Sequence, residues 1–253
     1  MNRTIRLVRQ GFPDPPEMDT GVSHATLRRV SEGLEPETLR LHRPAHVVAF
    51  GPRDRVAPGF GRAVAAAREH GFASIERLAG GRAAVFHQGT IAFSWAIPDP
   101  SAREGIRRRF DEIAGIMVEA LRSLGVDARV GEVPGEYCPG EHSVNARGRT
   151  KLVGVGQRII KDAAHVGGVV VVSGAEQIRD VLIPVYQALD LDWNPTTTGS
   201  LENEVTGITW DEAERSIEES FANRYHLERG MITEETVALA RTLGPRHAVV
   251  VDA

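Results

Sequence analysis

The stretch Arg77-Leu78-Ala79-Gly80-Gly81-Arg82-Ala83-Ala84-Val85-Phe86-His87 places a glycine pair between two short apolar runs. Ser74 to Leu78 and Ala83 to His87 read as strands around the Ala79-Gly80-Gly81 turn, with Ile91 to Ile97 as a third. The segment is therefore expected to form three strands joined by tight turns, or a meander. The glycines have two readings. They let the backbone approach a ligand and offer N–H groups to a carbonyl or phosphate oxygen, or they meet a hairpin's demand for positive φ. Arg77 is accordingly a ligand clamp or a surface residue, and His87 a pocket residue or a satisfied core histidine.

A second stretch, Lys151-Leu152-Val153-Gly154-Val155-Gly156-Gln157-Arg158, opens an apolar strand on a lysine. Its ammonium either lies over the small-residue floor of Gly154 and Gly156, where it stabilises charge developing on a carbonyl, or reaches from the strand end into water. Shortly before it, Gly135-Glu136-Tyr137-Cys138-Pro139-Gly140-Glu141-His142 holds the only cysteine of the chain. One thiol makes neither an intramolecular disulfide nor a cysteine-rich metal site. Flanking Pro139, Gly140 and two glutamates place it in a turn with an exposed tip, which disfavours core filler and leaves an incidental surface residue or a nucleophile. His142 either serves this thiol as a base or points away from it.

Working outward, Val47 to Phe50 reads as a strand and Gly61 to His70 as a helix ended by Gly71 at C′. Ala25 to Leu34 is a short helix. Ser101 is a plausible N-cap for a long helix carrying Ile106, Phe110, Ile113, Met117, Ala120, Leu121 and Leu124 at helical spacing. Ser143 to Asn145, Lys151 to Val155 and Val166 to Ser173 read as strands. Ala175 to Leu189, Trp210 to Tyr225 and Glu234 to Leu243 read as helices, and Ala248 to Val251 as a terminal strand. This order gives an α/β (α+β) fold of mixed sheets flanked by helices, with a small helical C-terminal extension over residues 191–253.

The 253 residues are 42% hydrophobic, enough for an ordinary core, and a net charge of −4 excludes a general nucleic-acid binder. No apolar stretch reaches the ~18 residues needed to cross a bilayer, and no apolar signal segment follows Met1-Asn2-Arg3-Thr4-Ile5-Arg6. A cytoplasmic protein with no membrane partner is expected.

The two quoted stretches resemble the Arg-x-x-Gly-Gly-x-Ala-Val-x-His and Lys-hydrophobic-x-Gly-x-x-Gln-Arg signatures of the lipoate-protein ligase and octanoyltransferase family, in the right order. The resemblance covers roughly residues 20 to 190. It implies a fold like that of class II aminoacyl-tRNA synthetases and biotin synthetases, an acyltransferase catalytic domain over residues 1–190, and Lys151 as the catalytic or carbonyl-binding lysine. Ligases of the family activate lipoate with ATP, whereas its transferases hold the acyl group on a cysteine. The Tyr-Cys-Pro-Gly loop is most similar to the amidotransferases that move octanoyl from the glycine-cleavage H protein to lipoyl domains of 2-oxoacid dehydrogenases. Arg82, where ligases commonly have a further glycine, fits a site that no longer wraps an adenylate.

The resemblance thus implies a Cys138 thioester, loaded from H protein or acyl carrier protein, with Cys138 and Lys151 catalytic. It implies Arg77, Gly80, Gly81, Val85, Phe86, His87 and Gly154 as substrate-binding residues, with no metal and no cofactor. Val85, Phe86, Phe93 and Val153 are candidate liners of an acyl slot or ordinary core. The run Arg103, Arg107, Arg108 and Arg109 either docks an acidic carrier or is a solvated helix face. An ATP-dependent lipoate ligase and an inactive carrier-binding member are the alternatives.

Overall fold

The computed structural model describes residues 3–250. The first half of the chain runs β1 (Thr4–Val8), α1 (Met18–Ser31), β2 (Thr38–His42), β3 (Val47–Phe50), α2 (Pro52–Arg55), α3 (Phe60–Glu69), β4 (Ala73–Glu76), β5 (Ala84–Phe86), β6 (Thr90–Pro98) and α4 (Ile106–Ser123). It continues through β7 (Ala128–Val130), β8 (Val144–Ala146), β9 (Thr150–Ile160), β10 (Ala163–Val171), α5 (Ala175–Ala188), α6 (Trp210–Ala222), β11 (His226–Arg229) and α7 (Glu234–Leu243). No helix among the described residues is long and apolar enough to cross a membrane.

Two mixed sheets carry the fold. Eight strands form one in the order β11-β1-β2-β6-β10-β9-β8-β7, and β4-β3-β5 form the other. Residues read as three sequential strands therefore do not make a meander. β4 pairs parallel and β5 antiparallel to β3, while β6 leaves for the large sheet and pairs with β2 and β10. Alternation along each strand decides the layers. Leu39 and Leu41, Phe93 and Trp95, and Val166 and Val170 share the face that α4 and α6 cover, in the main core with Met117, Ile217 and Phe221. Val48 and Phe50 of β3 turn to α3 and α5, into a second core with Val64, Ile178 and Val185. Between the two sheets a narrow space is left.

Capping explains where several elements begin and end. Gly71 stands at φ +78° just past α3, as a left-handed C′ residue should. Thr209 and Thr233 accept from the backbone N–H groups three residues on and open α6 and α7. Ser101 does not cap α4. Its own N–H donates to Asp99 Oδ1 at 2.9 Å, the chain turns again, and the helix begins after Gly105. Ile106 consequently lies on the surface, whereas Ile113, Met117, Ala120 and Leu121 are buried. Helix α1 also begins earlier than its apolar spacing indicates, at Met18. The expected terminal strand reduces to a single bridge between Ala248 and Ile75. Val251 lies outside the described residues, as do Met1 and Asn2.

The last sixty residues are built into the same architecture. α6 packs on α4, α7 on α1, and β11 extends the large sheet beside β1. Phe221 of α6 is fully buried and meets Trp95 of β6 edge-on at 5.3 Å. Replacing it opens a cavity in the main core. Phe221→Ala should cost about 3–5 kcal/mol, read as a lower midpoint in urea unfolding, with one cooperative transition retained.

Candidate active site

Cys138 adopts φ +43°, a left-handed conformation that costs a non-glycine residue roughly 1–2 kcal/mol. Three attachments hold it there. Its N–H donates to Tyr186 Oη at 2.8 Å, and that hydroxyl in turn donates to the Ala83 carbonyl at 3.0 Å, tying the loop to α5 and β5. The other two come from Lys151. Its Nζ donates to the carbonyls of Tyr137 and Cys138 at 3.0 and 2.8 Å, and to Glu136 Oε1 at 2.7 Å. Glu136 is fixed in turn by Ser143 Oγ at 2.6 Å and the Val133 N–H at 3.0 Å.

Lys151 is therefore not a strand-end side chain in water. It is 1% exposed, its ammonium lies 4.9 Å from the Tyr137 ring centre, and its three hydrogens meet three acceptors. Gly154 is the floor beneath it: a Cβ there would stand 3.5 Å from Lys151 Cε. The lysine fastens the cysteine loop and brings positive charge to it.

The thiol itself faces two donors. Arg77 Nη1 lies 3.3 Å and the Arg82 N–H 3.2 Å from Cys138 Sγ. Burial pushes the thiol up, but the Arg77 guanidinium, the Lys151 ammonium and the Arg82 N–H outweigh it and hold the group below the ordinary thiol range. Arg77 Nη1 also donates to the Arg82 carbonyl at 2.9 Å. Its Nε and Nη2 donors have no protein acceptor among the described residues. The glycines now have separate reasons. A Cβ on Gly81, at φ +122°, would stand 2.7 Å from Arg77 Nη1 and 2.9 Å from Cys138 Sγ, so only glycine lets guanidinium and thiol meet. Gly80 faces open space beside the thiol's cleft.

Arg82 contributes more than its backbone. Its Nη1 pairs with the fully buried Asp54 at 3.1 Å, and Asp54 Oδ2 accepts the Gly51 N–H at 2.8 Å, so the glycine turn is pinned to α2. Gln157 has a structural task too. It accepts from Arg109 Nε and donates to the Ile106 carbonyl, locking β9 to the start of α4. Arg109 is buried and paired with Asp99, so it belongs to no docking face; Arg103 and Arg108 are exposed, and Arg107 lines the cleft beside the thiol. His142 turns away from the cysteine, stacks on Phe110 at 4.8 Å and meets Asp111 Oδ1 at 3.0 Å.

On the other side of Arg77 lies a cavity of about 660 Å³ between the two sheets, its open mouth included. Val47, Ala49, Ile75, Leu78, Phe86 and Phe93 contribute to its walls. Cys138, Lys151, Arg77, Gly80, Gly81 and Gly154 thus converge, and Phe86 lines the adjoining cavity, which Phe93 borders from a side chain packed in the main core. Val85 points the other way, into the core under α3 and α5, and Val153 packs in the main core. His87 lies apart, beside Gly89 and Gly174, with its Nδ1 accepting the Gly89 N–H. Glu136, Tyr186 and the Arg82 N–H escaped the sequence reading. Glu136 leaves a sign in the sequence, where a glutamate beside a turn reads as a mark of exposure.

The description of a lipoyl protein ligase A/B catalytic domain matches residues 15–222. Among curated relatives, the octanoyl-[GcvH]:protein N-octanoyltransferase of Anoxybacillus flavithermus is 29% identical over 60% of this chain and 54% of its own length. The chain's match thus spans about half of that relative. The lipoyl-[GcvH]:protein N-lipoyltransferase of Listeria monocytogenes is 24% identical over 74% of this chain and 72% of its own. Among solved structures, a lipoate-protein ligase A bound with ATP superposes with a TM-score of 0.77 at 20% identity, covering 97% of this chain and 95% of that one. The lipoate protein ligase of Thermoplasma acidophilum gives 0.74 at 21%, covering 96% and 93%.

The environment of the thiol predicts its titration. The pH dependence of Cys138 alkylation by iodoacetamide should have its midpoint below that of an ordinary thiol, and Arg77→Ala should move it upward. An unshifted midpoint in Arg77→Ala would remove the guanidinium from this role.

Proposed function

The chain belongs to the lipoyl protein ligase A/B catalytic-domain family, and from that premise we propose that it is a protein N-octanoyl- or N-lipoyltransferase working through a Cys138 thioester. One observation carries the choice: a thiol held below its ordinary pKa against Arg77, where an apolar cavity begins. A ligase that activates its acid as an adenylate has no use for such a thiol. The two curated relatives described above are transferases, and their names supply the donor class, an acylated GcvH protein. The acceptor on this reading is the lysine of a lipoyl domain.

The reaction is two acyl exchanges. The Cys138 thiolate attacks the acyl carbonyl of the donor, whose chain lies in the cavity. The new S–C bond forms as the bond to the donor's lysine nitrogen breaks, and the departing amine takes a proton from water. The acceptor amine then attacks the thioester, returning the thiolate and losing a proton. Arg77 has two tasks. It stabilises the thiolate before attack, and it carries two further donors, Nε and Nη2, for the oxyanion that forms beside the sulfur. Lys151 acts through position and charge. Its hydrogens are committed to Glu136 and to the two loop carbonyls, so it presents the cysteine rather than the substrate.

Incubation with an octanoylated H protein and no ATP should give one octanoyl adduct on Cys138, visible by intact mass and removed by hydroxylamine. The acyl group should then appear on an added lipoyl domain. Arg77→Ala should slow transfer about 10²–10³-fold, the usual cost of losing an oxyanion donor. Lipoyl-domain modification that requires octanoate, ATP and Mg²⁺, or that persists at the normal rate in Cys138→Ala, would overturn the transferase reading.

A further inference from the structure

The contacts of the Cys138 sulfur join two segments that are anchored to different parts of the fold. Lys151 fastens the cysteine loop to β9, and Asp54 fastens Arg82 of the glycine turn to α2. Neither anchor sets the distance between loop and turn. Apart from the contacts of the sulfur itself, one hydrogen-bonded link joins the two segments among the described residues, and it runs through the hydroxyl of Tyr186. That hydroxyl accepts the Cys138 N–H at 2.8 Å and donates to the Ala83 carbonyl at 3.0 Å. Ala83 follows Arg82, whose N–H lies 3.2 Å from Cys138 Sγ. One oxygen thus spans both sides of the thiol–amide contact.

The peptide between Tyr137 and Cys138 is gripped at both ends. Its carbonyl takes a hydrogen of Lys151 Nζ at 3.0 Å, and its N–H is the one that Tyr186 accepts. Turning this peptide over would return Cys138 from φ +43° towards ordinary backbone and carry the side chain with it. Without the phenol oxygen, Lys151 opposes that turn from the carbonyl end alone. The Cys138 N–H and the Ala83 carbonyl would both lose their partner, and a backbone donor left unpaired favours a rearrangement that satisfies it.

The strut is stiff and keeps its polarity. A tyrosine places its oxygen through two torsions, and here the ring is packed into the second core, 5.3 Å from the Trp193 ring. Tyr186 is 2% exposed. Burial and the charge of the neighbouring thiolate push the phenol well above the ordinary tyrosine range, so the proton stays on the oxygen and stays directed at Ala83. The oxygen's lone pairs are left to the Cys138 N–H.

We propose that Tyr186 is a positioning residue for the nucleophile: its hydroxyl holds the Cys138 N–H and the Ala83 carbonyl at a fixed separation and so keeps the sulfur against the Arg82 N–H and Arg77. It makes no hydrogen bond to the sulfur and acts through the backbone on both sides of it. The consequence for acyl transfer rests on the thioester reading above. The consequence for the thiol does not.

Tyr186→Phe removes the one oxygen and keeps the ring in the core. In the whole protein, the pH midpoint of Cys138 alkylation by iodoacetamide should rise towards that of an ordinary thiol, because the sulfur drifts from two of the groups that hold it down. The kcat of transfer from an octanoylated H protein should fall about ten- to a hundredfold with the KM for that donor unchanged, the mark of a displaced reacting atom. Phe221→Ala is the control for stability alone. It lies in the main core, and it should lower the urea midpoint while leaving the thiol's titration where it is. Hydrogen exchange of the Cys138 amide, read by NMR in wild type, needs no variant and should show protection. An unmoved alkylation midpoint in folded Tyr186→Phe, an equal shift in Phe221→Ala, or a Cys138 amide that exchanges like a free loop amide would each overturn the proposal. If the midpoint rises in Tyr186→Phe while wild-type Cys138 takes no octanoyl group, the transferase reading falls and this one stands.

Discussion

A buried ammonium fastens the cysteine loop, and the rest of the site depends on it. Lys151 and Glu136 lie almost wholly inside the protein, 2.7 Å apart. Taking both charges out of water is costly, and their attraction offsets that cost only when the remaining hydrogens and lone pairs are also satisfied. Here they are. The ammonium reaches two loop carbonyls, and the carboxylate collects Ser143 Oγ and the Val133 N–H. A segment rich in glycine and proline thereby acquires a fixed course, and Cys138 is held at a backbone conformation it would not choose alone.

The thiol's environment is then a matter of close approach. The two sheets bring three separate segments to one point: the Arg77–Arg82 turn, the loop before β8, and the glycine-rich start of β9. Gly81 lets Arg77 reach the sulfur, and Gly156 leaves room for Ala79 and Arg77 against β9, since a Cβ there would stand 3.1 and 3.2 Å from them. Asp54, itself fully buried, holds Arg82 and so fixes the N–H that meets the sulfur. Positive charge gathers at a cysteine inside a chain of net charge −4, so the local field is set by burial and pairing and not by composition.

Some of this was legible in the sequence and some was not, for physical reasons. Val47–Phe50 and Glu234–Leu243 fall where pattern and capping put them, because both signals are local. The strands β1, β7 and β11 were missed, since each is short and mixes charged with apolar residues, and each is defined by its neighbours in the sheet. The reading of three strands joined by tight turns, or of a meander, fails where β6 departs for the other sheet, a choice of partner that no local pattern encodes. At the site, the glycine pair, Cys138 and Lys151 stood out by residue type. The burial of Lys151 did not, because it requires Glu136, which in the sequence reads as a sign of solvent. Tyr186, far along the chain on α5, gave no sign at all.

The central claim is that Lys151 and Glu136 act as one buried unit that positions the thiol. A double-mutant cycle of Lys151→Met and Glu136→Gln, followed by urea unfolding and by the pH dependence of Cys138 alkylation, tests it most directly. Lys151→Met alone leaves a buried carboxylate unpaired and should cost about 3–5 kcal/mol. Adding Glu136→Gln removes that charge while keeping its hydrogen-bonding shape, so the double variant should be more stable than Lys151→Met, with the thiol's midpoint raised in both. Additive losses with no coupling, and a thiol that titrates as in wild type, would contradict the account.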